Sequence, residues 1–212
     1  FQPSELAKIL IILFFAYFFM KHEEKINTPK VLISSFILAG IPLALILKQP
    51  DLSTTIVTAL IFAALLFVAG LSYKIVTGVL AVSIPSAVIL FTLLIQDKLP
   101  FIKSYQVTRV MAWLYPDDYP ADAYQQQNSI MAIGSGLLWG KGLGNTDPTS
   151  VKNGKFILEP QNDFIFSVIC EELGFIGALL VIFLFVALLL RGIYVAWHAK
   201  DKFGSMLVVG VI

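Results

Sequence analysis

One aspartate, Asp163, stands where a polar stretch of the sequence changes abruptly into a long apolar one. The local sequence is EPQNDFIF, from Glu159 to Phe166. The carboxylate either caps the helix that the apolar stretch predicts, or it points free at the helix start and works as a base. A capping carboxylate is occupied by backbone amides and is a poor base. Because Asn162 is an equally good cap, the residues around Asp163 leave both interpretations open.

Two further carboxylates, Glu171 and Glu172, lie inside the same apolar stretch. In a helix they would lie about 12 Å beyond Asp163, at about 1.5 Å per residue. At about 100° per residue, Glu171 stays near the face of Asp163 and Glu172 points away. A charge in an apolar environment is costly unless it is paired. We therefore expect Glu171 to face the protein interior and to pair with a lysine or arginine of another helix.

Acidic residues also mark the starts of two other predicted helices. Glu5 follows Pro3, and Lys8 lies one helical turn further on, which predicts an ion pair along the helix. The alternative is that Glu5 faces a polar cavity between helices. Asp51 precedes another apolar stretch, where its carboxylate favours the positive end of the helix dipole and a capping role.

The glycine-rich segment IGSGLLWGKGLG (residues 133–144) allows two interpretations. Its backbone amides could cradle a phosphate, although the flanking features of a dinucleotide site and of a P-loop are missing. Loosely packed turns at the membrane surface would explain the glycines equally well. The surrounding region also contains cations that either meet an anionic lipid headgroup or form a solvated face: Lys103, Arg109, Lys141, Lys152 and Lys155.

The composition is that of a membrane protein. Of the 212 residues, 58% are hydrophobic and only 14% are charged, against about a quarter charged in soluble domains. The net charge of +1 gives no basic surface for nucleic acid. With Cys170 as the single cysteine and only His22 and His198 as histidines, the sequence argues against an intrachain disulfide and against a histidine-based zinc site.

Hydropathy predicts an all-α, polytopic bundle of transmembrane helices in a single membrane domain. The predicted spans are residues 6–20, 31–47, 54–71, 75–95, 164–190 and 205–212, of which the last is cut off. Lysine and arginine are most frequent in the connection 21–30 and after the fifth span, which places these connections in the cytoplasm. Residues 96–162 then form one long outer loop, whose apolar content predicts interfacial or re-entrant segments. Because the chain starts without methionine and stops within an apolar stretch, we expect an internal piece of a larger protein.

Five motifs in collinear order resemble the SEDS family of shape, elongation, division and sporulation proteins, which includes RodA, FtsW and SpoVE. They are FQPSELAK, KQPDLST, YQVTRVMAWLYP, YQQQNSIMAIGSGLLWGKGLG and NDFIFSVICEELGFIG. The resemblance runs from the first residue to at least Gly177. Departures include Gln161-Asn162 where members often have His-Thr, and Leu137 where the glycine motif commonly ends in glycine.

The resemblance implies a peptidoglycan glycosyltransferase that polymerises lipid II, with a class B penicillin-binding protein as its partner in the bacterial cytoplasmic membrane. It makes Asp163 the catalytic residue, and a general base for the acceptor's 4-hydroxyl is the chemistry expected of it. Arg109 first, then Lys141 or Lys155, or a divalent cation (Mg²⁺ or Mn²⁺), would neutralise the leaving pyrophosphate. Glu5, Lys8, Asp51 and Glu171 are expected as cavity or structural residues. The alternatives are a transporter of the lipid-linked precursor and a scaffold without chemistry.

Overall fold

The computed structural model describes residues 2–49, 51–96, 104–148, 150–151, 153–154, 156 and 162–212. Within these ranges the chain forms helices, turns and loops, which confirms the all-α prediction. The α-helices in chain order are α1 (Pro3–Lys21), α2 (Pro29–Lys48), α3 (Leu52–Val68), α4 (Tyr73–Ile95), α5 (Ser104–Leu114), α6 (Pro120–Ser135), α7 (Ile165–Trp197) and α8 (Lys202–Val211). A short 3₁₀ helix, Glu23–Lys25, follows α1.

Four helices of the described part, α1, α2, α4 and α7, are long and apolar enough to cross a membrane, and the protein is an integral membrane protein. The apolar helices α3 and α8 are shorter. α3 ends at Val68, three residues before the predicted end of that span, because Gly70 turns the chain with a φ of 102°. α7 continues to Trp197, beyond the predicted end at residue 190.

The chain divides into two compact units, of which the first contains Phe1–Val82 and Ala187–Ile212. Here α1 packs against α3 and α8, and α2 packs against α3. The buried residues of α1 recur at helical spacing and meet Phe62 and Leu65 of α3, with the rings of Phe15 and Phe62 4.8 Å apart. Gly210 of α8 lets the helices approach, because a Cβ there would lie 2.6 Å from a methyl carbon of Ile12.

Side-chain contacts join the connections at one end of this unit. Asn27 donates to the Gly70 carbonyl oxygen at 3.1 Å and accepts from the Ser72 amide at 2.7 Å. The Lys202 ammonium lies 2.5 Å from a Glu23 carboxylate oxygen. The connection 21–30 therefore contacts both the turn at Gly70–Ser72 and the connection between α7 and α8, and the assignment of this face to the cytoplasm stays a prediction.

The second unit contains Ser83–Val186 and includes α5, α6 and the first part of α7. α5 packs against α6, so the outer region contains two helices within its described part. One face of α6 is formed by small residues that contact the start of α7. This unit contains Asp163, Glu171 and the glycine-rich segment, and the candidate site is built from it.

Candidate functional site

The start of α7 is set by Phe164. Its carbonyl oxygen accepts the amides of Ser167 at 3.0 Å and Val168 at 3.3 Å, so Phe164 occupies the cap position. Its ring packs against Ala132 of α6 and Val151. The prediction that Asp163 caps this helix is therefore wrong, and a capping role of Asn162 stays a prediction. The aromatic contact anchors the residue after both of them, and the helix begins at Ile165.

Asp163 lies two residues before α7 and is exposed. Among the residues that the structure describes, its carboxylate has no hydrogen-bond or ion-pair partner. An exposed carboxylate at the start of a helix long enough to span a membrane is available to meet a substrate from the membrane surface. It can accept a proton there, since no capping bond occupies its oxygens.

α6 holds this end of α7 through residues of small size. The hydroxyls of Ser129 and Ser167 form a short hydrogen bond, and Gly136 lies directly against the Cys170 carbonyl. A Cβ on Gly136 would overlap that carbonyl oxygen, so glycine is required for the approach. These contacts place the second half of α6 beside the start of α7.

α7 is interrupted at Gly174, whose φ of 67° and ψ of −165° are not helical. In a continuous helix the carbonyls of Glu171 and Glu172 would accept the amides of Phe175 and Ile176, four residues later. The break separates these partners. Four backbone groups at this level of α7 therefore need other hydrogen bonds, because an unpaired backbone group away from water is costly.

The glycine-rich segment supplies all four replacements. Lys141 and Gly142 donate their amides to the carbonyls of Glu171 at 2.9 Å and Glu172 at 3.0 Å. The carbonyls of Leu137 and Leu138 accept the amides of Phe175 at 2.8 Å and Ile176 at 3.3 Å. We call this arrangement the backbone splice: residues 137–142 lie between the two halves of α7 and bond to both.

The splice accounts for Gly140 and bears on both interpretations made from the sequence. The amides of Lys141 and Gly142 are bonded to α7 and do not face outward as a phosphate cradle. Gly140 is tightly packed, since a Cβ there would overlap the Glu172 carbonyl oxygen, whereas Gly142 and Gly144 have open space around them. The splice reaches Ile176, about 16 Å along α7 at about 1.5 Å per residue. That this level of α7 lies within the membrane, as a re-entrant outer loop requires, stays a prediction.

Glu171 is 1% exposed and receives two hydrogen bonds on one carboxylate oxygen. Lys141 Nζ lies 2.7 Å and the Val151 amide nitrogen 3.0 Å from Glu171 Oε1. The other oxygen, Oε2, has no partner among the described residues. The prediction of a buried, paired Glu171 is confirmed, with Glu172 less buried. The sequence suggested a partner on another helix. The partner, Lys141, lies instead in a loop, because the splice brings it to this level of α7.

Glu5, Lys8 and Asp51 lie in the first unit. Lys8 Nζ is 2.8 Å from Glu5 Oε2, so the predicted ion pair along α1 is formed, and Glu5 is exposed. Asp51 caps α3, as predicted, accepting the Thr54 amide at 3.0 Å and the Thr54 hydroxyl at 2.7 Å. Gln2 donates to the same carboxylate at 2.9 Å. These bonds, the Thr54 amide first, hold the pKa of Asp51 below its usual value, and the Lys8 charge acts in the same direction.

The remaining predicted cations are placed as follows. Arg109 is exposed on α5. Lys141 is bound to Glu171, which already compensates its charge. Lys155, and with it Lys103 and Lys152, lies outside the described residues. The roles of Arg109, Lys141 and Lys155 toward a pyrophosphate stay predictions, as does a divalent cation. No group of three or more His, Cys, Asp or Glu residues that could hold a metal occurs in the described ranges.

Sequence reasoning missed the contacts of Ser129, Gly136 and Val151. The spacing of Ser129, Ala132 and Gly136 is the signal that could have found the α6 face, because small residues at helical spacing indicate close helix packing. The hydrogen bond from the Val151 amide to Glu171 could not be predicted from the residue types, since every residue except proline carries the same backbone donor.

The chain resembles known proteins along its whole length. A family model described as "Cell cycle protein", the FtsW/RodA/SpoVE model, matches residues 1–212. Similar proteins are the probable peptidoglycan glycosyltransferase FtsW of Geobacter sp. strain M18, 35% identical over 217 residues, and the peptidoglycan glycosyltransferase MrdB of Escherichia coli K12, 36% identical over 217 residues. Each alignment covers 100% of this chain, and 54% and 55% of the relative. The chain thus spans about half the length of the curated relatives it matches.

Proposed function

Since the chain belongs to the FtsW/RodA/SpoVE family of cell cycle proteins, we propose that the whole protein is a peptidoglycan glycosyltransferase. Its substrate is lipid II, a disaccharide-pentapeptide on undecaprenyl pyrophosphate, and its product is a glycan strand at the outer face of the bacterial cytoplasmic membrane. The observation that carries this proposal is the exposed Asp163 carboxylate, which stands at the start of a membrane-length helix without a partner among the described residues.

Asp163 acts as the general base. Its carboxylate takes the proton from the 4-hydroxyl of the acceptor sugar, and that oxygen attacks the anomeric carbon of the donor. The bond from this carbon to the pyrophosphate breaks, and the undecaprenyl pyrophosphate leaves with the electron pair. The site at the helix start suits a substrate whose lipid lies in the membrane and whose sugars lie outside it.

The leaving pyrophosphate needs positive charge. Arg109 is the first candidate, because its guanidinium can form two parallel hydrogen bonds with phosphate oxygens and it is exposed on α5. Lys155 is the second. A Mg²⁺ or Mn²⁺ ion would supply further charge, held by one or two carboxylates together with the pyrophosphate oxygens. The class B penicillin-binding protein that crosslinks the strands is the expected protein partner.

The decisive experiment uses the purified whole protein in detergent or proteoliposomes with lipid II as substrate. We expect long glycan products from the natural protein and none above background from Asp163→Asn, which keeps its fold. An Asp163→Asn variant that polymerises normally would sink the assignment of the base. Labelled lipid II that only changes leaflet indicates a transporter, and neither activity indicates a scaffold.

A further inference from the structure

A single buried oxygen, Glu171 Oε1, connects three parts of the second unit. It binds the ammonium of Lys141 in the splice at 2.7 Å and the amide of Val151 at 3.0 Å, and Glu171 itself belongs to α7. Val151 in turn packs against Phe164, the residue next to Asp163. A short series of contacts therefore runs from the ion pair to the backbone of the candidate base.

The ion pair acts together with Gly140 to select one register of the splice. The four backbone bonds carry no sequence information. The register therefore depends on Gly140, where a Cβ would overlap the Glu172 carbonyl oxygen, and on the side-chain contact between Lys141 and Glu171. Lys141 meets Glu171 twice, amide to carbonyl at 2.9 Å and ammonium to carboxylate at 2.7 Å. A shifted loop would leave a buried carboxylate without its counter-charge, which is strongly destabilising.

Glu171 is not arranged for stability alone. Its second oxygen, Oε2, is buried without a partner in the described part of the chain. A buried polar atom without a hydrogen bond is costly, and such an atom in a native protein calls for an explanation. Buried ion pairs in general stabilise little compared with apolar groups of similar volume, and in some proteins they select one conformation.

On the premise of the proposed function, we propose that Glu171 and Lys141 are positioning residues for Asp163. The pair holds the splice in register and anchors Val151, which keeps Phe164 and the adjacent Asp163 in the geometry that the acceptor sugar requires. Neither side chain touches the substrate in this role. A displacement of about 1 Å at a reacting group can cost about 100-fold in rate, so small shifts suffice.

The test separates stability from positioning with the double variant Lys141→Met/Glu171→Gln in the whole protein. Because it removes both charges, we expect thermal stability close to that of the natural protein, but a kcat for lipid II polymerisation lower by about 10- to 100-fold with little change in KM. Amide hydrogen exchange at Val151 should accelerate in the same variant, because the neutral amide oxygen is a weaker acceptor than the carboxylate and the loop loses its charged contact at Lys141. The exposed pair Glu23 and Lys202 provides the matched control, and Glu23→Gln/Lys202→Met should keep its kcat.

A stable double variant with the natural kcat would overturn the positioning role, and so would unchanged exchange at Val151. If the pair of Lys141 and Glu171 were only structural, a double variant with natural stability would also have the natural kcat. Failure of the proposed function looks different, since the natural protein itself would then form no glycan. If the single variant Lys141→Met unfolds, the double variant and the exchange measurement still decide the question.

Discussion

Gly140 and Gly174 lie backbone against backbone where α7 is interrupted. A Cβ on Gly140 would lie 2.6 Å from the Gly174 amide nitrogen, and a Cβ on Gly174 would overlap the amide of Gly140. Both residues also have positive φ values, 78° and 67°. The break in α7 and the loop that fills it therefore depend on each other, because their close approach requires glycine both at position 140 in the loop and at position 174 in the helix.

Gly136 and Gly134 allow close packing to be tested without backbone strain. Gly136, with an ordinary φ of −74°, lies against the Cys170 carbonyl, whereas Gly134 has open space around it. We expect Gly136→Ala to lower the free energy of unfolding by about 2 kcal/mol through overpacking. Gly134→Ala, within α6, should raise it by about 0.5 kcal/mol. Thermal unfolding of the whole protein in detergent measures both, and equal responses would contradict the close approach of α6 and α7.

Leu137 has a φ of 49°, a conformation that favours glycine. The left-handed region costs a leucine about 1–2 kcal/mol, and glycine's greater freedom in the unfolded chain offsets about 0.5–1 kcal/mol of this. We expect Leu137→Gly to be more stable than the natural protein by about 0.5 kcal/mol. Leu138 is similarly exposed and has no positive φ, so Leu138→Gly should be less stable by about 1 kcal/mol. If Leu137→Gly lowers the stability of the natural protein as much as Leu138→Gly does, the strain at Leu137 is contradicted.

Several features of the fold could be predicted because they depend on local sequence. The apolar stretches located the membrane-length helices, and Asp51 before Leu52 located a helix start. The burial of Glu171 and the greater exposure of Glu172 followed from helical geometry, since adjacent residues point about 100° apart. The departure from glycine at Leu137 was also visible in the sequence, although its positive φ was not.

The splice could not be predicted, for physical reasons. The segment EELGFIG has the composition of an uninterrupted apolar helix, and one glycine costs a helix only about 1 kcal/mol. The break becomes favourable only when the backbone of residues 137–142, more than 30 positions earlier in the chain, replaces the lost hydrogen bonds. For the same reason the cap of α7 was missed: Phe164 takes that position through contacts with Ala132 and Val151.

The cap at Asp51 gives a prediction about pH. Hydrogen bonds from Thr54 and Gln2 and the charge of Lys8 hold the pKa of Asp51 below the usual value of 3.8. Its ionised form therefore stabilises the folded protein above pH 3.8, and this stabilisation disappears as the pH falls through the lower pKa of the folded state. We expect Asp51→Ala to lower the Tm by a constant amount between about pH 5 and 8, and by less below about pH 4.

Asp51→Asn is the control for this experiment. The asparagine oxygen still accepts the Thr54 amide, so its Tm should lie between those of the natural protein and Asp51→Ala. A difference in Tm between the natural protein and Asp51→Ala that varies between pH 5 and pH 8 would contradict the lowered pKa of Asp51.

Asp163 should behave in the opposite way to Asp51, although both precede a helix. Asp163 is exposed, its carboxylate has no partner among the described residues, and Phe164 occupies the cap position of α7. We therefore expect Asp163→Ala and Asp163→Asn to change the free energy of unfolding by no more than about 0.5 kcal/mol. If the carboxylate is the general base, the same variants should lose about 100- to 10,000-fold in kcat for glycan synthesis. A clear drop in the Tm of Asp163→Asn, measured beside Asp51→Asn in one detergent, would contradict the free carboxylate and return Asp163 to a structural role.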